Sequence, residues 1–300
     1  AKRIFLLNNG FQTVMDAGVV NIYNYLVLIT NNNELKNTYQ YIAQNENIHA
    51  NSYSYGLLEM FKSEATEKIN LIYQDPMVKK RLNDEVGDAG EFVDYVIHQK
   101  HSDDKAKELL LKVLVDTLII ESVKFPFSFF TTFMINNTYG NAIQGFTLLL
   151  KMIARDELDY HVPTNKEVLR ILRKDKKQGF QHVYENMKDW ILKRIEKVEK
   201  DEKEWIDYLL KDGEFPGYNK EVCYKFIEYK VDELLKMLGF NKKYNHKAFD
   251  FILWFNEYRK IRNQNSSLQE ISNNNYEKGV IQPNIAKYLD KLREIFYKGI

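Results

Sequence analysis

An all-α fold follows from three features of this sequence. Apolar residues recur at helical spacing over long stretches, alternating strand patterns are scarce, and helix breakers are few: 5 prolines and 13 glycines in 300 residues. The periodicity predicts helices at 3–26, 34–63, 66–81, 88–98, 103–137, 141–173, 177–211, 219–238 and 246–257. The segments 34–63 and 103–137 exceed the usual three or four turns. Breaks fall where Asn, Gly and Pro cluster, at NNNE (31–34), TYGN (138–141) and DGEFPGYNK (212–220).

Composition narrows the function classes. With 44% hydrophobic and 28% charged residues, the chain can bury one large core or two modest ones. A formal net charge of +1 provides no field to draw it to nucleic acid or to an anionic membrane. A single cysteine, Cys223, rules out an internal disulfide framework and a Cys-rich zinc site, and points to a reducing, cytoplasmic compartment. The start, AKRIFLLNNG, has too short an apolar run for a signal peptide. The most apolar stretch, LIIESVKFPFSFFTTFMI, is interrupted by Glu121 and Lys124 and reads as a core helix rather than a membrane span.

Two regions follow. Residues 1–261 carry the helical pattern of one domain. Residues 262–300 form a tail: RNQNSSLQEISNNNYEKG is polar with little periodicity, which predicts mobility, and NIAKYLDKLREIFYKGI is amphipathic, a face to dock on this chain or on a partner.

The chemistry begins in ENIHANSY (46–53). With Glu46 at zero, His49 falls at about 300° and Tyr53 at about 340° around a helix, so all three share one narrow sector. A carboxylate and an imidazole one turn apart can grip one metal ion. Alone, such a pair more often means a solvated Glu and a satisfied His. A second pair lies in MIARDELDYH, where Glu157 is followed by Tyr160 at i+3 and His161 at i+4. Two more acids, Asp16 in FQTVMDAGVV and Glu121 in LIIESVKF, are flanked by apolar residues. An unpaired buried carboxylate is costly, and four of them need a shared explanation. Two carboxylates from two helices plus two Glu/His pairs from two others make the di-metal site of a ferritin-like bundle. Two divalent cations balance four carboxylates, and an oxygen and imidazole donor set suits iron or manganese.

At these residues the chain resembles the small, radical-generating subunit of class I ribonucleotide reductase. The resemblance spans nearly the whole length, through IFLLNNGFQTVMD, ENIHANSY, ESVKFPFSFF, IARDE and KDEKEWIDYLLKDGEFPGYNKEV. It implies that Asp16, Glu46 and His49 ligate one metal and that Glu121, Glu157 and His161 ligate the other, the metals being two iron ions, with manganese or a mixed pair as alternatives. It implies that Tyr53 is oxidised to a stable radical after the reduced metals meet O2, inside packing matched by Phe125, Phe129 and Ile153. Asp156 matches the aspartate that orients the first histidine. Tyr276 matches a tail tyrosine that passes the radical to the large catalytic subunit, and Glu270 an acidic residue of the same interface. A homodimer packed through the long helices is also implied. So is the reaction served, reduction of ribonucleotides to deoxyribonucleotides.

Two departures stand out. The family's second pair is Glu-x-x-His, whereas one more residue separates Glu157 from His161 in this chain. A single π-bulge would absorb it. His161 is the better neutral donor, and Tyr160 is the rival ligand. The family also carries an N-terminal tryptophan on the radical's way out. No residue of this sequence matches that tryptophan, which leaves the inner half of the route open. Cys223, Trp190, Trp205 and Trp254 read as packing residues, and His98, His101, His182 and His246 have no matching partners. Two other functions use the same bundle: a two-metal oxidase or oxygenase with its own small substrate, and an iron-binding protein without a radical. Neither needs a protected phenol at Tyr53 or a redox-active tail at Tyr276.

Overall fold

The computed structural model describes residues 1–98 and 103–261, with the backbone alone for 83–88 and 103. Tyr276, Glu270 and the tail 262–300 lie outside the described residues. Residues Ala1–Lys260 form one compact unit.

Eleven α-helices are described: α1 (Lys2–Ile29), α2 (Asn33–Phe61), α3 (Ala65–Gln74), α4 (Pro76–His98), α5 (Asp103–Ile119), α6 (Phe125–Thr138), α7 (Gln144–Asp156), α8 (Val162–Leu172), α9 (Phe180–Leu209), α10 (Lys220–Leu238) and α11 (Asp250–Tyr258). No helix among the described residues is long and apolar enough to cross a membrane.

Helix α1 turns back against α2 through a short link closed by Asn32, whose Oδ1 accepts from the Leu35 N–H at 2.8 Å. Helices α1 and α2, the α5–α6 rod and the α7–α8 rod pack as a four-rod core. Helices α4, α9 and α10 brace it from outside, and α11 packs on α6 and α10. The break foreseen between residues 81 and 88 lies instead at Asp75, whose extended backbone precedes Pro76. The Asp75 carboxylate accepts from the Met77 and Val78 N–H groups at 2.9 and 3.1 Å, so Pro76 opens one continuous helix through residue 98.

Both inner rods contain a π turn. In the first, Ile120–Lys124, the Phe125 N–H reaches back to the Ile120 carbonyl. In the second, Glu157–His161, the Val162 N–H reaches back to the Glu157 carbonyl. Each turn holds one residue more than an α-turn and re-aims the side chains within it. The second is the bulge expected from the extra residue before His161. The first, around Glu121 and Lys124 in an otherwise apolar stretch, leaves no comparable mark in the sequence.

A buried ion pair joins two of the braces over the core. Arg81 (α4) donates through Nε and Nη2 to the two oxygens of Glu202 (α9), at 2.8 and 2.6 Å. Its guanidinium lies 3.8 Å from the Phe11 ring centroid and 4.8 Å from that of Trp205. The Lys124 ammonium of the first π turn stands 4.0 Å from Glu202.

Candidate metal centre

The four core rods deliver six side chains to one point. Asp16 comes from α1, Glu46 and His49 from α2, Glu121 from the first π turn, Glu157 and His161 from the second. All six are fully buried. They form two overlapping groups: Asp16, Glu46, His49 and Glu157, and Glu46, Glu121, Glu157 and His161. Within each group the donor atoms lie within 4.8 Å of one another, and Glu46 and Glu157 belong to both. His49 Nδ1 stands 3.0 Å from Glu157, 3.4 Å from Glu46 and 4.0 Å from Asp16. His161 Nδ1 stands 3.0 Å from Glu157 and 3.1 Å from Glu46. The two imidazole rings stack 5.8 Å apart.

The second π turn sets the two candidates after Glu157 in different surroundings. His161 is buried at the cluster, whereas Tyr160 is 55% exposed.

The electrostatics of the bare cluster are strained. Burial, with Glu46 and Glu157 nearby, raises the Asp16 pKa well above the usual carboxylate range. Burial likewise raises Glu121, against the pull of His161. Burial disfavours both imidazolium forms, yet the Asp156 acceptor and the close Glu157 and Glu46 carboxylates leave His49 raised, and Glu157 and Glu46 do the same for His161. Glu157 is pulled down to about 2 in spite of its burial, because His161 and His49 stabilise its charge.

The residues fit a pair of divalent cations. Both oxygens of Asp16 and of Glu46, Oε1 of Glu157, Nδ1 of His49 and Nε2 of His161 are buried with no hydrogen-bond partner. Buried polar atoms are normally satisfied, and these converge from three rods on one point. Their donors are carboxylate oxygens and imidazole nitrogens, the set that suits iron or manganese. Asp16, Glu46, His49 and Glu157 would hold one ion, and Glu46, Glu121, Glu157 and His161 the other.

The surrounding residues add what spacing alone had not indicated. Tyr53 is fully buried, as are Phe125, Phe129 and Ile153, but its hydroxyl accepts a hydrogen bond from Gln12 Nε2 at 3.2 Å. Its niche is therefore not wholly apolar. Asp156 accepts from His49 Nε2–H at 3.5 Å, the arrangement that fixes the tautomer of a metal-bound imidazole. The Asp156 Oδ1 accepts from Arg155, which is 42% exposed. At the other end, Tyr23 and Asn165 hydrogen-bond to Glu121. Gln12, Tyr23 and Asn165 escaped the sequence reading, although each keeps helical register with a recognised residue. Gln12 lies four before Asp16, Tyr23 seven after it, and Asn165 four after His161.

The remaining histidines lie elsewhere. His98 pairs with Asp94 on the surface, His246 pairs with Glu228, His182 is exposed, and His101 lies outside the described residues. Cys223 and Trp205 are buried packing residues.

Comparison with known proteins agrees. Residues 2–250 match the profile of the family described as ribonucleotide reductase, small chain. The ribonucleoside-diphosphate reductase subunit beta of Buchnera aphidicola subsp. Schizaphis graminum is 25% identical, over 95% of this chain and 79% of its own. Its counterpart from enterobacteria phage T4 is 24% identical, over 77% of this chain and 65% of its own. Among solved structures, the ribonucleotide reductase R2 subunit from Clostridium botulinum superposes with a TM-score of 0.73 at 18% identity, covering 87% of this chain and 77% of that one. The dimanganese(II)-NrdF of Streptococcus sanguinis superposes with a TM-score of 0.63 at 18% identity, covering 85% and 82%. This chain belongs to the ribonucleotide reductase small-chain family, with the all-α ferritin-like fold and a buried di-metal carboxylate site.

Proposed function

We propose that this chain makes and holds a radical on Tyr53 and lends it to the large, catalytic subunit for reduction of ribonucleotides. The observation that carries this reading is a fully buried phenol four residues after His49, one turn from a cluster of four carboxylates and two imidazoles. When bound, the two metals supply the oxidation of the phenol with O2; the protein supplies ligation, orientation and exclusion of water. Asp16, Glu46 and His49 hold the first metal, and Glu121, Glu157 and His161 the second. Gln12 holds the Tyr53 hydroxyl in place. Tyr53, Phe125, Phe129 and Ile153 all lie out of reach of water, which keeps reductants from the radical.

His49, Asp156 and Arg155 form a hydrogen-bonded series from the cluster to the surface, and we assign it as the start of the way out. Tyr276 is the relay to the large subunit and Glu270 a docking residue of the tail. Iron is the proposed metal, with manganese the alternative favoured by the Streptococcus sanguinis relative. A homodimer would use α2, where Tyr41, Ile48 and Tyr55 recur every seven residues and the two tyrosines are exposed. The free thiol of Cys223 suits the cytoplasm.

The test is Tyr53→Phe, assayed with the large subunit. The reading requires loss of reductase activity with metal content unchanged. Retained activity would place the radical elsewhere.

A further inference from the structure

The two ends of the cluster are built differently. Neither oxygen of Asp16 has a hydrogen-bond partner, and the oxygens of Glu46 face the imidazoles of His161 and His49 at 3.1 and 3.4 Å. Glu121 differs in that both its oxygens accept from neutral donors. The Tyr23 hydroxyl donates to Oε1, and Asn165 Nδ2 donates to Oε2 at 3.1 Å. Asn165 Nδ2 also donates to the Tyr23 oxygen at 2.6 Å. The ring of three closes on itself and uses the donors fully: an amide nitrogen has two protons, and one goes to each oxygen. An ionised carboxylate only accepts, so the amide edge facing Glu121 is the nitrogen.

All three side chains are fully buried and come from three different rods. Tyr23 lies two turns beyond Asp16 on α1, at about the same angle around the helix. One helix thus sends a carboxylate to one half of the site and a phenol to the other. Asn165 lies one turn beyond His161, and the Tyr23 ring stands edge-on to the His161 ring at 6.2 Å.

We infer that Tyr23 and Asn165 are positioning residues that lock Glu121, making it the fixed ligand of the second metal, whereas no such donor holds Asp16. The inference rests on the di-metal reading. Each Glu121 oxygen gives one lone pair to its donor and keeps another for the metal. With both donors in place the carboxylate cannot rotate about its last bond without breaking a charge-assisted hydrogen bond. Outer partners of this kind typically contribute 10–100-fold in metal affinity.

The test uses the full chain, titrated with Co(II) under anaerobic conditions and followed by calorimetry and by the visible ligand-field spectrum. Tyr23→Phe and Asn165→Leu remove the donors with little change of shape. Tyr39→Phe is the packing control, since the centre of its buried ring lies 5.8 Å from that of Tyr23. The wild type and Tyr39→Phe should bind two ions per chain. In both donor variants one binding step should weaken 10–100-fold, with an altered spectrum for that ion, while the other step and the melting temperature of the metal-free protein hold. Equal weakening of both steps with a lowered metal-free melting temperature would make the pair merely structural. Two unchanged steps in both variants would overturn the inference and leave the di-metal reading standing. Fewer than two ions in the wild type would overturn both.

Discussion

Deleting Tyr160 tests how the chain accommodates its extra residue. In an uninterrupted α-helix the loss of one residue would turn everything beyond it by about 100° and shift it by about 1.5 Å. Helix α8 would then swing Val162 and Leu169, both buried, toward solvent and pull Asn165 from Glu121. At about 1.5–3 kcal/mol for each apolar side chain, that costs roughly 3–6 kcal/mol. At 2–4 °C per kcal/mol for a chain near this size, melting would fall by about 6–24 °C. The π turn predicts otherwise. Its surplus residue is the one removed, so the turn should relax to an α-turn with α8 kept in register. Tyr160 is itself 55% exposed and gives up little burial. The pair would become Glu-x-x-His, the spacing that Glu46 and His49 already use. We predict a melting temperature within a few degrees of wild type and two metals per chain, read by thermal unfolding and by metal analysis on one sample. A fall of 10 °C or more, or loss of one metal, would refute the view that the turn merely stores the insertion.

Other outcomes follow from the same geometry. Glu46→Ala should weaken both metal-binding steps, because Glu46 belongs to both groups, whereas Asp16→Ala should weaken one; a Co(II) titration separates them. Arg81→Met strands the buried Glu202 carboxylate with only Lys124 at 4.0 Å and should cost about 3–5 kcal/mol in chemical denaturation, with metal stoichiometry unchanged. Metal affinity should fall as pH drops from 8 to 6. Asp16, Glu121, His49 and His161 all have raised pKa values in the metal-free protein, so they hold protons to higher pH, and binding must release them. Calorimetry in two buffers of different ionisation heat counts the protons, and no release would contradict the assignment.

How much of this was legible in the sequence depended on whether a residue broke its local pattern. Asp16 and Glu121 stood out because an acid in an apolar helix is costly, and the two Glu/His pairs because their spacing fits a helix face. The π turn at Glu157–His161 was legible from the extra residue. The turn at Ile120–Lys124 was not, since an apolar helix reads the same with or without it. Tyr23 and Asn165 were hidden for a related reason. Each has an ordinary neighbourhood, and its role appears only when α1, α8 and the first π turn meet. The boundary at Asp75 was missed because Pro76 was read as lying inside a helix rather than opening one.

The most direct test of the central claim is electron paramagnetic resonance on the protein loaded anaerobically with Fe(II) and then exposed to O2, with metal counted in the same sample. The account predicts about two metals per chain and a tyrosyl signal that is absent from Tyr53→Phe at equal metal content. Two metals with no tyrosyl signal, after iron and again after manganese activation, would contradict it. So would a signal that persists in Tyr53→Phe.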